Sequence, residues 1–201
     1  MSREVLEIIC RMDMGKIENQ IVLQCAPLIV GLRISSLFII PKKNLKQIHG
    51  LLRKSQIYYY VFYLSGERAV ILLYHCHRLE DYLGCTEVRD FLVERGYPLT
   101  RLEGILQEFR QRYWHYCTGT GDFPHELGLI LGYPIEDVKG FIQYKGKHPL
   151  YAGYWKVYTD VPAKKELFRM FELAKEMLVE FLRNGIDIQD IISGYRWNEW
   201  A

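Results

Sequence analysis

The sequence predicts an α+β fold: a small, mostly antiparallel sheet of about four strands packed with helices and followed by a long C-terminal helix. Three observations carry this prediction. Leu167, Met170, Phe171, Ala174, Leu178 and Phe181 recur at three- and four-residue steps between Pro162 and Arg183, which is the period of one apolar helix face. Two β-rich runs, Ile57 to Leu64 and Ala69 to Tyr74, are joined by Ser65-Gly66-Glu67-Arg68, which reads as a hairpin turn. The order along the chain is helices, strand, helix, two strands, helices, strand, helix, which does not alternate as a parallel α/β fold would. Residues 1–201 are expected to form one such domain, with the helix and tail over 160–201 docked on it.

Taken in order, Val5 to Met12 fits a short helix, and Lys16 to Pro27 a second, with Ile17, Ile21 and Leu28 along one face. Pro27 disfavours helix at Ala26, so Cys25-Ala26-Pro27 is placed near a helix end or in a bent helix. Leu37 to Ile40 is a short buried strand ending at Pro41. Lys42 to Lys54 is an amphipathic helix with its lysines in solvent. After the hairpin come helices over Arg78 to Leu83 and Thr86 to Glu94, the latter stopped by Gly96 and Pro98. Thr100 to Tyr116 is a longer helix, followed by a Thr-Gly loop. Residues 121–146 read as two short helices broken at Gly132-Tyr133-Pro134. Tyr151 to Tyr158, aromatic and β-branched, is expected to add a strand to the hairpin sheet. Asp160 caps the long helix, Pro162 sits in its first turn, and Asn184-Gly185 ends it. The Trp-containing tail from Ile188 to Ala201 reads as a docked terminal helix.

Composition bounds the function. Hydrophobic residues make up 49% of the 201, enough for a core and too many for a disordered chain. A formal charge of +2 argues against nucleic acid or an anionic membrane as the main partner. The apolar window Ile21 to Ile40 is interrupted by Gln24, Pro27, Arg33, Ser35 and Ser36, so it reads as core and no membrane span is predicted. The first ten residues are amphipathic and lack the pattern of a signal peptide. Five cysteines, an odd number with no C-x-x-C, indicate neither a disulfide framework nor a standard zinc site, which points to a reducing cytoplasm.

Three separated motifs carry a family resemblance. Cys25-Ala26-Pro27 with Gly31-Leu32 and Ser36-Leu37-Phe38 is the first. Phe123-Pro124-His125-Glu126-Leu127-Gly128, Leu131-Gly132-Tyr133-Pro134 and Glu136 to Ile142 form the second, and Lys145-Gly146 with Gly153 to Tyr158 the third. Together, over about residues 20–160, they resemble DUF3793, an uncharacterised bacterial family typical of anaerobes. The resemblance supplies a pattern and no mechanism. Family members often carry a further Cys near the closing motif; this chain has none beyond Cys117.

Two functional readings follow. In the first, the protein is a thiol-dependent enzyme, a hydrolase or acyl transferase. Cys25 would be the nucleophile and His125 its base, with Glu126 or Asp137 orienting the imidazole, because a thiol needs a positioned base to become thiolate. The competing account is that Cys25 is a small core residue and His125 serves its helix start. In the second reading the protein is a non-catalytic ligand-, metal- or haem-binding adaptor in the iron or redox physiology of anaerobes. Tyr133, Lys139, Tyr154, Trp155 and Lys156 would contact the ligand. Fifteen tyrosines make a stacking surface available, although amphipathic Tyr at a core boundary also accounts for them. His75, Cys76, His77, His115 and Cys117 are candidate metal ligands, but their spacing matches no standard site. The two short helices resemble a helix-turn-helix, yet Glu136 and Asp137 open the second one and would repel phosphate. Thr118 to Gly121 offers backbone amides to an anion, which Asp122 opposes. No motif identifies a cofactor, and the partner is left open between a small molecule and a protein.

Overall fold

The central strand is buried on both sides, and this organises the molecule. The computed structural model describes residues 3–98 and 101–194. Strand β1 spans Ser35–Pro41, β2 Ile57–Ser65 and β3 Arg68–His75, in the antiparallel order β1-β3-β2. The near-continuous apolar run Ala69-Val70-Ile71-Leu72-Leu73 belongs to β3, and its alternation sends Ala69, Ile71 and Leu73 into one core and Leu72 into another. Both faces of the sheet must therefore be covered by helices.

The first face is covered by α1 (Arg3–Arg11), α2 (Ile17–Ile29), α3 (Leu45–Leu52, entered through a 3-10 turn at Lys42–Asn44), α9 (Val161–Arg183) and α10 (Ile188–Gly194). Helix α2 continues two residues past Pro27, which is the bent-helix alternative with Pro27 inside. Residues Cys25 to Ile29 are all buried there, and that burial offsets the hydrogen bond that Pro27 cannot make. Helix α9 has the predicted cap: the Asp160 carboxylate accepts from the Ala163 N–H at 3.3 Å.

The second face is covered by α4 (Cys76–Gly84), α5 (Thr86–Glu94), α6 (Leu102–Cys117), α7 (Leu127–Ile130) and α8 (Ile135–Gln143). A bulge in β2 helps this side. The register steps from Val61–Ile71 to Tyr63–Val70, leaving Phe62 as the extra residue. Phe62 and Tyr63 then both reach Tyr113 of α6, at 6.4 and 6.3 Å between ring centroids. The hairpin turn is tighter than the four residues predicted, since Ser65 pairs with Arg68 and only Gly66-Glu67 lie between.

The sequence prediction fails at 151–158. These residues do not join the three-stranded sheet; they fold back on themselves as a two-stranded hairpin, β4 (Tyr151–Ala152) and β5 (Lys156–Val157). The hairpin packs on the N-terminal half of α9 through Val157, Phe168 and Phe171, a third and smaller core. The expected helix start at Thr100 and the tail 195–201 lie outside the described residues. Among the described residues no helix is long and apolar enough to cross a membrane.

Candidate functional site

A chain reversal at Gly132 builds the site. Gly132 has φ +70°, and its N–H donates to the Leu129 carbonyl at 2.8 Å while the Tyr133 N–H donates to Gly128 at 2.9 Å, closing α7. Pro134 then caps α8, whose Val138 N–H donates to the Pro134 carbonyl at 3.1 Å. The Tyr133 carbonyl accepts from the Tyr82 hydroxyl, and the Arg33 guanidinium lies over the Tyr133 ring, 5.5 Å from its centroid. Tyr133 is thus fixed from both ends.

Asp137 joins this reversal to the β4–β5 hairpin. Its side chain is 2% exposed. Oδ2 accepts from the Trp155 indole N–H at 2.8 Å, and Oδ1 accepts the backbone N–H groups of Tyr158 at 2.7 Å and Thr159 at 3.1 Å. The Thr159 hydroxyl adds a longer bond to Oδ1 at 3.5 Å, and the carboxylate lies in the first turn of α8, where the helix dipole favours an acidic side chain. The bonds bring Trp155 flat against Tyr133, with centroids 4.7 Å apart and planes 22° from parallel. Trp155 also meets Phe168 of α9 edge-on at 4.5 Å.

The result is a cavity of about 330 Å³ between α7, α8 and the hairpin. Leu131, Val138 and Asp137, all buried, form its floor. Tyr133, Trp155, Tyr154, Leu127 and Phe141 form its walls. The exposed Phe123, His125 and Lys156 mark its rim. The His125 ring leans on Phe123 and Phe141, each at 5.4 Å. The Lys156 ammonium donates to the Gly146 carbonyl at 2.6 Å and lies 5.7 Å from the Phe141 centroid.

Four of the five residues expected to contact a ligand line this cavity: Tyr133, Tyr154, Trp155 and Lys156. Lys139 does not. It points to solvent from α8 and pairs with Glu87 of α5 at 2.7 Å. The apolar residues Phe123, Leu127, Leu131, Val138 and Phe141 were not anticipated. Their types match those of core residues, and nothing in the sequence distinguishes a wall facing a void from one facing a neighbour.

The proposed catalytic set is not assembled. Cys25 is 0% exposed inside the α2–α9 core, and burial pushes its thiol up to about 12, with Arg33 opposing only in part. His125 stands on the cavity rim, and among the described residues no hydrogen bond joins the two. Glu126, 7% exposed, faces the other way and pairs with Arg95, Oε1 to Nε 3.5 Å. Cys25 is therefore a neutral core side chain at physiological pH. In alkylation of the native protein near pH 7.5, the exposed Cys10 and Cys85 are expected to react and Cys25 only after unfolding. Peptide mapping checks this, and native labelling of Cys25 would reopen the thiol reading.

The His and Cys residues considered as metal ligands lie at the β3–α4 junction and at the end of α6. Strand β3 ends at His75, so His77 lies within α4 rather than beside His75 on one strand face. His75 is buried with Nε2 3.0 Å from the Leu28 carbonyl, and burial lowers its pKa. His115 Nδ1 meets the Thr120 hydroxyl at 2.9 Å. Among the described residues no group of three or more His, Cys, Asp or Glu side chains is arranged to hold a metal ion.

A family model described as "Protein of unknown function (DUF3793)" matches residues 21–192, from α2 to α10. No curated protein and no solved structure matches the chain.

Proposed function

The chain belongs to the DUF3793 family, and from that premise we propose that it is a non-catalytic binding protein for a small, ring-bearing, largely apolar molecule. The cavity beside the Tyr133–Trp155 stack carries this reading. Small-molecule sites are concave and mostly apolar, with a few fixed polar groups, and about 300 Å³ is the lower end of their range. The walls are supported from behind, with Arg33 and Tyr82 on Tyr133, Asp137 and Phe168 on Trp155, and Glu172 on the Tyr154 hydroxyl. A ligand therefore meets rings already in place and little entropy is lost in ordering them. Among the described residues no Ser, Thr or Cys lines the cavity, and its carboxylate is occupied by Trp155 and two backbone amides, which favours binding over covalent catalysis.

The neutral fluorescent probe N-phenyl-1-naphthylamine tests the reading. Its emission is expected to rise saturably with one site per chain, and Leu127→Trp, which fills the cavity from one wall, is expected to abolish the rise while leaving the circular dichroism spectrum intact. A parent protein that shows no saturable signal sinks the reading.

A further inference from the structure

The polar groups of the cavity are not evenly spread. The buried carboxylate of Asp137 is at the floor, and among the described residues it has no cation partner. The ammonium of Lys156 is at the rim, and it too has no carboxylate partner among the described residues. An ammonium carries three donors, and among the described residues one is taken, by the Gly146 carbonyl at 2.6 Å. That bond holds the head of an otherwise flexible side chain beside Phe141. The imidazole of His125 lies against the same ring and makes no hydrogen bond among the described residues.

We propose that the ligand is an organic acid: a flat apolar body lying between Leu127 and the Trp155 face, and a carboxylate or similar anion at the rim on Lys156, with His125 as second donor. The proposal rests on the pocket reading above and gives it a chemical class and a direction. The direction follows from charge. The Asp137 carboxylate repels an anion at the floor, and the apolar walls leave any charge there without solvent. At the rim the anion keeps part of its hydration and gains a fixed ammonium, so the apolar end must enter first. An amine ligand is disfavoured for the same reason, because it would have to pass Lys156 to reach an Asp137 whose lone pairs are mostly taken.

Displacement of N-phenyl-1-naphthylamine by three ligands of nearly one shape tests this: indole-3-acetate, the neutral indole-3-acetamide and the cationic tryptamine. The acetate is expected to bind about tenfold more tightly than the amide, the size of one charge-assisted hydrogen bond that remains partly hydrated, and tryptamine more weakly than either. In Lys156→Met, which keeps the stem and loses the charge, the acetate is expected to fall to the level of the amide. N-phenyl-1-naphthylamine, which offers the Lys156 ammonium no carbonyl or carboxylate, should still bind the variant saturably, which shows that the variant has kept its pocket. Equal binding of acetate and amide by the parent, or tightest binding of tryptamine, overturns the proposal while the pocket reading stands. Failure of the naphthylamine itself to bind removes both. Loss of naphthylamine binding in Lys156→Met also counts against the proposal, because Lys156 would then be holding the Gly146 turn rather than receiving an anion.

Discussion

Replacing Asp137 with alanine is expected to cost about 3–5 kcal/mol of stability, because three N–H donors lose their acceptor at roughly 1–3 kcal/mol each while water recovers part of the loss at the exposed Thr159. The carboxylate does what no apolar contact in this region can do. It ties the first turn of α8 to the chain just after β5, and it orients the Trp155 indole. Without it the hairpin keeps its two-pair ladder, its packing on Phe168 and Phe171 and the side-chain bonds of Tyr154 to Glu172 and Lys156 to Gly146, but no buried polar tie to α8. Urea unfolding measures the loss as a lowered midpoint at unchanged slope. Asp137→Asn keeps one oxygen and faces the third donor with an amide N–H, so about half the loss is expected. Both variants should also weaken N-phenyl-1-naphthylamine, since Trp155 is released from Tyr133. A loss below about 1 kcal/mol for Asp137→Ala would mean that the three N–H groups find water as readily as the carboxylate, and that the hairpin holds itself.

Asp137 also shows where sequence reading stops. Its position in a first helical turn suggests dipole stabilisation, and that is only part of its role. Its main partners are a tryptophan 18 residues away and two backbone amides 21 and 22 residues away, and no local pattern encodes those. Where the determinant is local, the sequence is legible. The Asp160 cap, the 65–68 turn, the start and end of α5 and most of the α9 stripe follow from periodicity or from one residue's hydrogen-bonding options; within the stripe Met170 is exposed and Phe168 is buried in its place. The segment 151–158 was misread because aromatic and β-branched content indicates extended chain without saying how far it extends. Gly153 carried the missing signal. A Cβ there would lie 2.4 Å from the Phe168 ring, so the chain turns where only glycine fits. Cys25 was ambiguous for a different reason. A buried Cys and a nucleophilic Cys look alike in isolation, and only the unbroken apolar run Ala26-Pro27-Leu28-Ile29 after it pointed to the core. Tyr133, Tyr154, Trp155 and Lys156 stand out in the sequence by type, as rings and a cation, whereas the aliphatic residues that line the same cavity do not.

Gly132→Ala is expected to destabilise the protein by about 2–5 kcal/mol, the sum of two separable terms. At φ +70° an L-residue pays about 1–2 kcal/mol for its Cβ against its own backbone. The Cβ would also stand 2.4 Å from Ile34 Cγ1 and 2.7 Å from Cδ1, an overpacking that costs about 1–3 kcal/mol. Ile34 cannot step aside freely: it sits just before β1, its carbonyl accepts the His75 N–H at 2.9 Å, and its side chain packs into the second core. The two terms are separated by adding Ile34→Ala. The double variant should be less destabilised than the sum of the single ones, because the cavity left by Ile34 receives the new methyl group, while the backbone term persists. Strict additivity would place the whole effect in the backbone and deny the clash. The functional consequence follows from chain order. Tyr133 comes next and its ring is one wall of the cavity, so a shift of even a few tenths of an ångström at residue 132 opens the Tyr133–Trp155 stack. Affinity for N-phenyl-1-naphthylamine should therefore fall in Gly132→Ala even at temperatures where the variant is fully folded. An unchanged affinity would show that Tyr133 is held by Tyr82 and Arg33 alone.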